Sequence, residues 1–112
     1  MASGAAFLYI RRVRARLVVR RGGVPDRSVW LAEGPDYVLG RSAGVEVCVP
    51  DEPQLSRRHA SLRLGQGTLR VERLPEAEGS LLREGKSRQA FVLPPGGSFM
   101  VGYTRFVFEA AD

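Results

Sequence analysis

Two stretches of the chain hold side chains suited to chemistry: Tyr37-Val38-Leu39-Gly40-Arg41-Ser42 and Asp51-Glu52-Pro53-Gln54-Leu55-Ser56-Arg57-Arg58-His59-Ala60. The first is a short apolar run that ends in a glycine and an arginine. The second is a polar loop carrying a serine, two arginines and the single histidine of the sequence, and it runs directly into an alternating apolar segment. A guanidinium is a planar fork of donors that never loses its charge, and a serine hydroxyl adds one more donor. Such groups bind anions. Catalysis by Ser56 with His59 as base needs a third, orienting partner and an oxyanion site, and no feature of the sequence proposes either. Paired carboxylates, a metal-ligand cluster and a glycine-rich phosphate cradle opening a helix are also missing from the pattern. The expectation is a binding module with no metal or cofactor, not an enzyme.

Strands must carry these loops, because the periodicity is two wherever it is regular. Ala15, Leu17 and Val19 alternate with Arg14, Arg16 and Val18, the pattern of a half-buried strand. Ser28–Ala32, Tyr37–Leu39 and the run of Val45, Val47 and Val49 read as further strands, separated by turns rich in glycine, proline and aspartate. Ala60, Leu62 and Leu64, then Gly65-Gln66-Gly67, then Leu69 and Val71 form the clearest hairpin. Leu81-Leu82, Phe91–Leu93, Ser98–Val101 and Arg105–Phe108 complete about ten short strands, and no window keeps an apolar stripe at helical spacing. An all-β sandwich or barrel follows. The aromatic residues Tyr9, Tyr37, Tyr103 and Trp30 and the phenylalanines are expected mostly in the core.

The chain has 112 residues, 44% of them apolar and 26% charged, which suits one soluble domain. Its longest apolar runs are far too short to span a bilayer, and the order of Ala5–Ile10 before the arginines is the reverse of a secretory signal. A cytoplasmic location without membrane contact is expected. Cys48 is the single cysteine, so no internal disulfide forms, and its apolar neighbours predict a buried, inert thiol. The net charge of +5 is localised. Residues 1–21 carry six arginines and no acidic residue, whereas the other 91 residues hold 11 basic and 12 acidic side chains. Residues 1–12 read as a basic extension or the start of an edge strand, and 13–110 as the β-sandwich. If residues 11–16 pair at an edge, Arg12, Arg14 and Arg16 share one face. That stripe serves either as a nucleic-acid contact or, the favoured reading, as charge that discourages strand-to-strand aggregation.

Gly40-Arg41 followed fifteen residues later by Ser56-Arg57-Arg58-His59, within an all-β chain of this length, resembles the forkhead-associated (FHA) domain, a phosphothreonine-peptide binding module. The likeness runs from about Ala15 to Glu109 and includes Leu93–Gly102, which is similar to a characteristic late segment of that family. It implies a sandwich of about ten to eleven mostly antiparallel strands with its ligand loops at one end. It also implies a phosphorylated protein as partner, with a serine/threonine kinase or its substrate as candidates. By the same resemblance Arg41, Ser56, Arg57, Glu78 and Ser80 face the phosphopeptide, while Gly40, His59 and Gly79 support the site. Physically, Arg41 suits a phosphate that carries nearly two charges and three acceptor oxygens. Gly40 lets the strand pack closely, and His59 holds the loop that presents Ser56.

The third ligand loop departs from the family pattern. Ala77-Glu78-Gly79-Ser80 stands where Ser/Thr-Asn-Gly-Thr is usual. Glutamate accepts hydrogen bonds but donates none, and a carboxylate about 6 Å from a phosphate repels it by roughly 1–3 kcal/mol per unit charge. Glu78 therefore turns to solvent, pairs with Arg57, or selects a positive residue beside the phosphothreonine. The alternative function is a phosphate-independent assembly scaffold with a degenerate phosphate site.

Overall fold

The computed structural model describes residues 14–111. Within these residues eleven strands form two sheets. The first places β2 (Arg27–Ala32), β1 (Arg14–Arg21), β11 (Thr104–Ala111), β10 (Ser98–Val101), β7 (Leu82–Arg83) and β8 (Lys86–Ser87) side by side in that order. The second runs β4 (Val47–Cys48), β3 (Asp36–Gly40), β5 (Ala60–Gly65), β6 (Thr68–Arg73) and β9 (Ala90–Leu93). Pairing is antiparallel except between β3 and β4. Of the sandwich or barrel that periodicity allows, the sandwich implied by the family resemblance is the fold observed.

The alternating apolar residues supply the layer between the sheets. Leu17, Leu31, Phe99, Phe106 and Phe108 from one side meet Leu39, Leu62, Leu64, Leu69, Val71 and Leu93 from the other, each essentially inaccessible to water. Burial of each such side chain is worth about 1.5–3 kcal/mol. Phe99 stacks on Phe106 with ring centres 4.9 Å apart. The β5–β6 hairpin turns on Gln66 and Gly67, with φ of 54° and 78°. Two left-handed residues in a two-residue loop match the twist of the flanking strands, and glycine makes the second of them cheap.

Several expectations fail, each for an identifiable reason. β1 is no edge strand: it lies between β2 and β11, with all eight residues paired to β11. Arg14 stacks over Trp30 at 5.4 Å, and Arg16 binds Glu109 at 2.6 Å, so these charges have partners within the sheet. Arg11, Arg12 and Tyr9, with the proposed extension of residues 1–12, lie outside the described residues. Trp30 and Tyr103 are exposed at 52% and 77% because Trp30 alternates with inward Leu31 and Tyr103 occupies the β10–β11 turn. Cys48 is only partly buried, since its backbone points it opposite to buried Val47 and Val49. The run 45–49 yields a strand of two residues, Val47–Cys48. Among the described residues no helix is long and apolar enough to cross a membrane.

Candidate functional site

The close approach of two chain segments builds the site. At the end of β3, Gly40 is buried, and a Cβ there would overlap the backbone carbonyl of Arg57. Without a side chain the backbones come together: the Arg41 amide donates to Ser56 O at 3.0 Å and the Ser42 amide to Arg57 O at 3.3 Å. Arg41 Nε also donates to Leu55 O at 3.0 Å. The guanidinium of this exposed residue is thus anchored through Nε, one of its five N–H donors, and the bond to Leu55 leaves the four on its terminal nitrogens unused.

Behind this contact lies His59, fully buried. Its Nδ1 accepts the Ser56 amide at 3.0 Å, so the ring proton belongs on Nε2. The His59 amide donates to Leu39 O and its carbonyl accepts from the Leu74 amide, which ties β3, the Ser56 loop and the chain after β6 to one residue. Burial pushes the imidazole below its ordinary pKa; the Ser80 backbone counteracts this, and the positive Arg73 adds to it. Nε2 itself has no partner at hydrogen-bonding geometry, so the Ser80 backbone acts on the ring as a nearby dipole and not as a formed bond.

The third loop is held from beneath by Arg73, which sequence reasoning missed. Its Nε donates to Gly79 O at 2.7 Å and a terminal nitrogen to Ala77 O at 2.6 Å. Ala77 is buried, so the family's hydroxyl is replaced by a methyl packed inward. Gly79 is required by crowding: a Cβ there would lie 2.9 Å from His59 Cε1. The Glu78 amide donates to Ser56 Oγ at 2.8 Å. That bond uses the serine oxygen as acceptor and leaves its hydroxyl proton to be donated outward.

Arg41, Ser56, Arg57 and Glu78 line one open cleft of about 410 Å³, together with Arg58 and Glu76. Ser80 is exposed but lines an adjacent hollow with Gln54, Leu82, Gly102 and Tyr103. Arg58 also reaches the cleft wall, half-exposed, and binds Glu76 at 3.1 Å. Hydrogen bonds from its own backbone and from Arg58 hold the Glu76 carboxyl below the usual carboxylate range. No ion pair joins Glu78 to Arg57 among the described residues.

A second missed residue is Glu52, a fully buried carboxylate. Its Oε1 accepts from the Tyr103 amide (3.1 Å) and Thr104 Oγ1 (2.8 Å), and its Oε2 from the Gln54 amide (3.0 Å). Arg21 Nε stands 4.0 Å away. Buried charge survives when it is saturated with donors in this way, and the effect is to clamp the Ser56 loop to the β10–β11 turn.

Comparison with known proteins gives a consistent result. The family model described as FHA domain matches residues 37–102, a span that begins one residue inside β3 and ends just after β10. The oxoglutarate dehydrogenase inhibitor of Corynebacterium glutamicum is 31% identical over 97 residues, covering 86% of this chain and 65% of that protein. A protein of the same name from Corynebacterium efficiens is also 31% identical, with 66% of it covered. The chain therefore spans just under two thirds of the length of these curated relatives. Among solved structures, the FHA domain of the CT664 protein from Chlamydia trachomatis superposes with a TM-score of 0.78 at 22% identity, over 88% of this chain and 99% of that one. The Slr1951 protein from Synechocystis gives 0.74 at 21% identity, over 89% and 98% of the two chains. At such identities the structural matches speak for the fold.

Proposed function

This chain belongs to the FHA-domain family, and from that premise we propose that it docks phosphothreonine-containing segments of a partner protein in kinase-dependent signalling. The observation that carries the reading is the convergence of Arg41 and Ser56, fifteen residues apart, on one cleft through direct backbone bonds between their segments. In this reading the terminal nitrogens of Arg41 and the hydroxyl of Ser56 donate to the phosphate oxygens, and Arg57 adds charge from the same wall. Charge-assisted bonds of this kind contribute about 1.5–3 kcal/mol each. Ser80 and Glu78 meet the peptide beside the phosphate, while Gly40, Gly79 and His59 set the geometry. The binding domain we propose comprises residues 13–110, preceded by the basic residues 1–12, and acts in the cytoplasm. Its partner is a serine/threonine kinase or a substrate of one.

A non-catalytic role fits the inhibitors of the two Corynebacterium species, whose names describe proteins that act on an enzyme. Titration of a phosphopeptide library tests the proposal. Tight binding of phosphothreonine peptides, lost in Arg41→Ala and Ser56→Ala, is expected; equal binding of unphosphorylated peptides would contradict it.

A phosphate-independent scaffold is the second reading, favoured by the exposed carboxylate of Glu78 in the cleft and the buried methyl of Ala77. Pull-down of a partner that survives phosphatase treatment is its signature.

A further inference from the structure

The cleft carries an imbalance of charge that a phosphate alone leaves unresolved. Its walls hold three guanidinium groups, of Arg41, Arg57 and Arg58, and two carboxylates, of Glu76 and Glu78. Arg58 and Glu76 neutralise one another at 3.1 Å. What remains is two cations and one anion, a net charge of about +1 facing a group that brings about −1.5 to −2 at neutral pH. With phosphate bound, the cleft is left with roughly one uncompensated negative charge.

The position of Glu78 says where that charge lies. Its amide is fixed on Ser56 Oγ at 2.8 Å, so its Cα stands beside the hydroxyl that faces the phosphate. Arg73 anchors the carbonyls on either side of it, those of Ala77 and Gly79, and the segment cannot swing aside without breaking both bonds. The side chain is exposed and lines the cleft. The neighbouring hollow of Gln54, Ser80, Leu82, Gly102 and Tyr103 contains no ionised side chain to compensate it.

We infer that Glu78 is a specificity-determining residue that selects phosphothreonine segments with an arginine or lysine within about three residues of the phosphothreonine. The inference rests on the phosphopeptide reading above. A basic side chain there pairs with the Glu78 carboxylate and screens it from the phosphate, whereas an acidic neighbour adds a third negative group to the same space. Selection works as much by rejecting the acidic segment as by attracting the basic one.

The test uses one phosphothreonine peptide in versions with arginine, glutamine or glutamate placed at each of three positions on either side, and the unphosphorylated counterpart of each. Calorimetric titration is made with the wild type, Glu78→Gln and Glu76→Gln. The wild type is expected to bind the best arginine version about tenfold more tightly than the glutamate version at low salt, a gap that narrows at high salt as screening grows. Glu78→Gln keeps the backbone bond to Ser56, reduces the gap several-fold, and binds the glutamine version more tightly than the wild type does. Glu76→Gln changes the gap less, because Glu76 already has a partner. If all phosphorylated versions bind the wild type alike, or if Glu78→Gln keeps the full preference, the inference is overturned while phosphopeptide binding stands. If no phosphorylated version binds better than its unphosphorylated counterpart, both are overturned.

Discussion

The front and the back of the ligand-loop end are built by opposite rules. The front, Arg41, Arg57, Arg58, Glu76 and Glu78, is exposed and charged. The back, Gly40, Ala77, His59 and Glu52, is buried, and the last two hold loops together through hydrogen bonds to backbone amides. Exposed charges cost little to change, because water takes over their solvation. Buried polar groups are costly to disturb, because a lost partner leaves an unsatisfied group away from water. Affinity is thus written on the front and geometry on the back, and the two separate experimentally.

The largest effect belongs to the back. Gly40→Val drives a branched side chain into the Arg57 carbonyl and is expected to destabilise the domain by about 3 kcal/mol or more, with loss of peptide binding; thermal melts measure the first and titration the second. A normal melt with normal binding would erase the distinction. Next comes Arg41→Ala at the front. Affinity for a phosphothreonine peptide should fall about 10- to 150-fold, the range of charge-assisted bonds, while the melting temperature moves by only a few degrees.

His59 gives the third prediction, through pH. Its folded-state pKa lies below 6.5 because of burial, so the unfolded chain takes up a proton first as pH drops. Stability is then complete above about 6.5 and declines below it, by at most about 1.4 kcal/mol per pH unit. Urea denaturation at pH 7.5 and 5.5 should show this decline in the wild type and a shallower one in His59→Gln. The smallest effect is that of Arg58→Ala, whose pair with Glu76 is about half exposed on both sides. Such pairs are worth about 0–1 kcal/mol, so affinity should change less than about fivefold.

The same division explains what could be read from the sequence. Alternation of apolar residues marked β1, β5, β6 and the inner faces of the sandwich, because an inward position every second residue is a local property. Of the two-residue strands, β7 shows only as the apolar pair Leu81-Leu82, one residue early, and β8 leaves no such trace. Arg41, Ser56, Gly40 and His59 were legible as a spaced pattern. The Arg58–Glu76 pair leaves no local signal because its partners are eighteen residues apart, and Glu52 reads as part of a polar loop because its donors Tyr103 and Thr104 lie 51 and 52 residues away along the chain. The exposure of Trp30 does have a local signal, since it alternates with Leu31, which faces inward.

The most direct test follows the backbone amides of the described residues by NMR while one phosphothreonine peptide, and then its unphosphorylated twin, is added. Shifts concentrated at Arg41, Ser42, Ser56, Arg57 and Glu78 with the phosphorylated peptide, and none with its twin, are the predicted result. Equal shifts with both peptides, or shifts gathered along β2 with the loops unmoved, would contradict it.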